Sequence, residues 1–92
     1  MTNHDQIAIK IIEEQALIIG PVAWEEAGKV NGLRIDIAQH QVSIEGNTKE
    51  VLEKLVAQYE HLFGPASREV CRDAVRPFLA QVSLEEIPAV LK

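Results

Sequence analysis

Three histidines, one cysteine, two glutamate doublets and a row of arginines are the side chains with chemistry to offer, and their spacing limits what they can do. His4, His40 and His61 share no ligand spacing with one another or with Cys71. A zinc site draws three or four ligands, usually at short local separations, so no metal is expected. Cys71 lies among Val70, Ala74 and Val75, the setting of a small buried hydrophobe. A nucleophilic thiol would need a base or cation beside it, and Arg72 points to another helix face. Glu13-Glu14 and Glu25-Glu26 are adjacent pairs, and adjacent helical positions diverge, so neither makes an acid/base dyad. With no glycine-rich phosphate loop and no nucleophile elbow, the residues describe a non-enzymatic protein without a cofactor.

Arg68, Arg72 and Arg76 recur every four residues and fall on one helix face. Such a row could present guanidinium groups to a phosphate, a nucleic acid or an acidic protein. The competing reading is a solvated face stitched by Glu69–Arg72 and Asp73–Arg76 pairs at i, i+3. The charge balance does not favour nucleic acid. Nine basic side chains face fourteen acidic ones, a net of −5, and this lacks the basic footprint of a general nucleic-acid binder.

At 92 residues, 47% hydrophobic and 25% charged, the chain reads as a single small globular domain, residues 1–92. A chain this short has a thin stability margin, which a homodimer would widen. One cysteine precludes an internal disulfide and fits a reducing compartment. The first residues lack the pattern of a signal peptide, and no run approaches the ~20 apolar residues of a membrane span, so a soluble, cytoplasmic protein is expected.

The elements that must carry these side chains read as mainly α: four to five short helices in two helix–Gly-Pro–helix hairpins. Asn3 with Gln6, or Thr2 with Asp5, can cap the first helix. Ile7, Ile11 and Ile18, with Ala8, Ile12 and Ile19, mark its apolar stripe, which Ala16 and Leu17 widen. Gly20 stops this helix and Pro21 starts the next, which runs to a second stop at Asn31-Gly32. Over 33–45, Leu33, Ile35 and Ile37, then Val42 and Ile44, alternate with polar residues, the period of a β-hairpin. No Gly, Asn, Asp or Pro occupies its tip, so an extended loop packed on helices competes. Asn47 to Glu50 is a capping box, followed by a four-turn face of Val51, Leu52, Leu55, Val56, Tyr59, Leu62 and Phe63. After Gly64-Pro65, the residues Ala66, Val70, Cys71, Ala74 and Val75 form another face, and Pro77 ends that helix near Arg76. Phe78 and Leu79 follow as core contacts, and Ser83 with Glu86 caps a short terminal turn.

Lys10 to Val30 aligns without gaps on Lys54 to Ala74 at an offset of 44, and 41–45 echoes 81–85 at an offset of 40. The chain reads either as two copies of one unit, 8–45 and 52–92, or as one easy αα-corner found twice. The correspondence pairs Trp24 with Arg68. If it holds, Trp24 is at least partly exposed and a candidate anchor for a partner; otherwise Trp24 covers the 33–46 segment.

Leu62-x-Gly64-Pro65-Ala66 and Ser83-Leu84-Glu85-Glu86, with Gly20-Pro21-Val22-Ala23 as a partial second copy, resemble the Gly-Pro-corner helical modules of bacteria. These occur beside Ser/Thr kinase, forkhead-associated and response-regulator domains and in small cyanobacterial proteins. The resemblance covers roughly 48–91 well and 8–30 poorly. It implies a signalling-associated, protein-binding module and transfers no catalytic residue. The expectation is a protein-interaction or regulatory module with Trp24, Arg68, Arg72 and Arg76 as candidate partner-binding residues. The alternative is phosphate or nucleic-acid binding through the three arginines.

Overall fold

A computed structural model describes residues 3–82 and 84–91, apart from the side chains of Asn3 and Leu84. It is mainly helical with one small hairpin, as the periodicity predicts. Helix α1 spans Asn3–Ile19 and α2 spans Val22–Ala27; strands β1 (Leu33–Asp36) and β2 (Gln41–Ile44) follow, then α3 (Thr48–Phe63) and α4 (Ala66–Val75). Three short 3-10 turns, Arg76–Phe78, Leu84–Glu86 and Ala89–Leu91, complete the described chain. The caps expected from Thr2, from Asn3 with Gln6 and from Ser83 lie outside the described residues.

The two Gly-Pro corners are built alike. Gly20 N–H donates to Ala16 O and Gly64 N–H to Glu60 O, both at 2.9 Å. Ala23 N–H bonds Gly20 O and Ser67 N–H bonds Gly64 O, both at 3.1 Å. Both glycines have positive φ, +79° and +89°, and a Cβ on either would meet open space. The glycine is therefore needed for its backbone conformation alone. The likeness stops at the connectors, since 41–44 is a strand whereas, in the matching segment, residues 81 and 82 form a turn and a bend and Leu84 opens a 3-10 turn.

β1 and β2 pair antiparallel in the register Leu33↔Ile44 and Ile35↔Val42. These four side chains turn towards the core, while Arg34, Asp36, Gln41 and Ser43 are exposed. The tip closes without the usual turn residues because two neighbours supply what they would. Asp36 Oδ1 accepts from Gln39 N–H at 3.2 Å, an Asx-type bond. His40 takes the left-handed conformation, φ +52°, which histidine tolerates better than most side chains.

α1 packs chiefly on α4 and α2, and α3 packs on α4. Ile7, Ile11, Ile12, Leu52, Leu55, Val56 and Tyr59 are buried at the centre. The terminal turns add Ile87 and Leu91 to the same core, while Phe78 and Leu79 pack partly buried against it. Arg72 Nε donates to Val90 O at 2.8 Å and so ties the terminal turns to α4. Asp5 Oδ1, buried in the first turn of α1, accepts from Ile44 N–H at 2.9 Å and holds the hairpin to that helix.

Both long apolar stripes run past the core. In α1, Leu17 is 80% and Ile18 65% exposed; in α3, Leu62 is 45% and Phe63 40% exposed. The sequence assigns all four to buried faces, and the structure corrects this. The apolar residues continue to the last turn, but the bundle buries α1 only as far as Gln15 and α3 only as far as Tyr59. Ala66 is exposed and Val70 half-buried at the matching end of α4, so the overshoot is shared by three helices.

Candidate interaction surface

The overshooting residues converge. Ile18 and Ile19 from α1, Phe63 from the end of α3, and Ala66 and Val70 from α4 line a cleft of about 300 Å³, with Gln15 and Ser67 also on its wall. Leu17 and Leu62 are the chain neighbours of two of these residues. Gln15 is buried and its Nε2 donates to Ser67 O at 3.1 Å and to Cys71 Sγ at 3.4 Å. Its donor is thus satisfied within the protein, and the side chains open to solvent around the cleft are apolar. Neither 15–24 nor 62–67 contains an ionisable side chain. The result is a neutral, apolar end formed by the last turn of α1 and the α3–α4 corner.

Trp24 is placed differently from the anchor reading. It is 4% exposed and its ring stacks on His40, centroids 4.4 Å apart and planes 14° from parallel. The hairpin tip covers it, so the packing alternative holds and Trp24 offers no surface to a partner. Its counterpart Arg68 is half-buried instead, and among the described residues of the second half no hairpin lies over that position.

The three arginines do lie along α4, each already engaged. Arg68 makes a two-point contact with Glu60 of α3, and that carboxylate raises its pKa. Arg72 bonds Val90 O and reaches Glu69 Oε1 at 3.4 Å. Arg76 pairs with Asp73 at 3.0 Å. The i, i+3 stitching expected for a solvated face is present at both positions. The row therefore spends its charge on α3, on its own helix and on the terminal turns.

The histidines sit at three separate places: the start of α1, the hairpin tip and the end of α3. His4 Nε2 lies 3.0 Å from Glu86 Oε2, without hydrogen-bond geometry, and forms an ion pair when protonated. Among the described residues no group of three or more His, Cys, Asp or Glu side chains is placed to hold a metal. No described helix is long and apolar enough to cross a membrane.

Cys71 is fully buried, and burial pushes its thiol up to about 11 from 9.0, against a smaller lowering effect of the Gln15 bond. Tyr59 is buried beside it, donates to Ala23 O at 2.6 Å and is also pushed upward, chiefly by burial. Both groups are neutral when protonated, so folding favours the protonated form. Their contribution to stability is complete below the unfolded thiol pKa near 9 and fades as pH climbs towards 11. The midpoint of thermal unfolding is expected to fall progressively over pH 9–11, and Cys71→Ala to flatten the first part of that fall. A midpoint indifferent to pH over this range would contradict the burial of both groups.

Comparison with protein-family models, curated proteins and solved structures finds no match to this chain.

Proposed function

We propose that this chain is a non-enzymatic, cytoplasmic protein-interaction or regulatory module that docks through its neutral apolar end. The observation that carries the reading is the cleft walled by Ile18, Ile19, Phe63, Ala66 and Val70, with exposed Leu17 and Leu62 next in the chain to two of these residues. Single exposed apolar side chains are ordinary, but a contiguous group of this size on a small protein is the mark of a contact surface. The buried, proton-holding thiol and the diverging glutamates supply no catalytic partner. The resemblance of the Gly-Pro corners to modules found beside bacterial signalling domains supports the same class.

Affinity capture from cells expressing the tagged chain, read by quantitative mass spectrometry, tests this. At least one protein, an untagged copy of this chain included, should be retained by the wild type and by Arg76→Glu but lost by Leu17→Glu, and should re-form the complex when purified. If every protein retained by the wild type is also retained by Leu17→Glu, the reading fails.

A further inference from the structure

We infer that the occupant of the apolar end is a second copy of this chain, docked end to end about a two-fold axis. The inference rests on the interaction reading above and adds the identity of the partner. Three observations carry it.

The first is shape. A two-fold contact must be self-complementary, so that what protrudes from one copy is received by the other. Here projection and recess lie side by side. Leu17 stands out from the last turn of α1, and Ile18, next to it in the chain, forms one wall of the cleft between α1, Phe63 and α4. A two-fold rotation can set the projecting side chain of each copy at the recess of its partner.

The second is charge. Two copies bring together two chains of net −5, so like-charge repulsion opposes contact through acidic faces. Residues 15–24 and 62–67 contribute none. Self-association through this end avoids that repulsion, and these segments carry no charge to select an acidic or basic partner instead.

The third is area. At their observed exposures the four protruding side chains leave roughly 400 Å² of apolar surface on each copy. Pairing them buries roughly 800 Å² in all, the size of a weak contact below about 1,200 Å². That burial also relieves the small surface-to-core ratio of a chain of this length.

Sedimentation of the purified full chain from about 1 to 300 μM at physiological salt tests the inference. The wild type should pass from monomer to dimer with rising concentration, and should keep doing so in 0.5 M NaCl because no ion pair holds the contact. Leu17→Glu on the projection and Ala66→Glu on the rim of the cleft should each weaken the dimer at least 10-fold. Both residues are exposed in the single chain, so circular dichroism and the unfolding midpoint of the dilute variants should match the wild type. A wild type that stays monomeric at 300 μM overturns the inference, as does a dimer that neither variant weakens. A monomeric wild type that still loses a captured protein on Leu17→Glu overturns the second-copy assignment alone. A monomer that loses nothing overturns the interaction reading with it.

Discussion

Gly32→Ala is expected to unfold this protein far more readily than Gly46→Ala, although both glycines have φ of +93°. A Cβ at position 32 would lie 2.5 Å from Val51 Cγ2 and 2.9 Å from Glu45 O. One is a short branched side chain in the first turn of α3; the other is backbone. Neither can swing aside, and Gly32 O already accepts from Glu45 N–H at 2.7 Å. The hairpin base would have to lift from α3. Backbone strain and overpacking together cost about 3–5 kcal/mol, which in a domain of this size lowers the unfolding midpoint by about 15 °C or more. At Gly46 a Cβ meets nothing within 4 Å, leaving only the conformational strain of about 1–2 kcal/mol. Urea melts of the two variants give the comparison. Equal losses would mean that the hairpin does not rest on Val51.

Leu55→Ala should cost about 2–5 kcal/mol, because the side chain is fully buried between α3 and the rest of the core and its removal leaves a cavity. For a chain whose whole stability is about 5–14 kcal/mol, that is a large fraction. Leu17→Ala removes the same atoms from a helix of the same kind and should change the dilute, monomeric protein by no more than about 0.5 kcal/mol. The contrast checks where the core ends. If Leu17→Ala is as destabilising as Leu55→Ala, the last turn of α1 belongs to the core and the apolar end is not a surface.

That boundary is also where reading the chain alone reaches its limit. The helices were legible because Gly20-Pro21 and Gly64-Pro65 punctuate them, and because Asn47 caps α3 with Oδ1 on Glu50 N–H at 3.0 Å. The hairpin was legible as a period of two and ambiguous only at its tip, where Asp36 and His40 do the work of better turn residues. What periodicity cannot give is the length of helix that neighbours cover. Leu62 and Phe63 continue the stripe of Val51 to Tyr59 without a break, and only the three-dimensional end of the bundle separates them. Trp24 and the arginines show the complementary limit. Their residue types suit recognition; His40 covers the first, whereas the arginines pair with Glu60, Val90 and Asp73 and stay partly exposed.

The most direct test of the central claim is methyl NMR of the full chain with labelled isoleucine, leucine and valine. Spectra recorded as concentration rises, or as a purified captured partner is added, report which surface is covered. The methyls of Leu17, Ile18, Leu62 and Val70 should shift or broaden together, while those of exposed Ile37 at the hairpin tip stay in place. Unchanged signals at the apolar end, with Ile37 or the hairpin responding instead, would place the contact elsewhere and contradict the account.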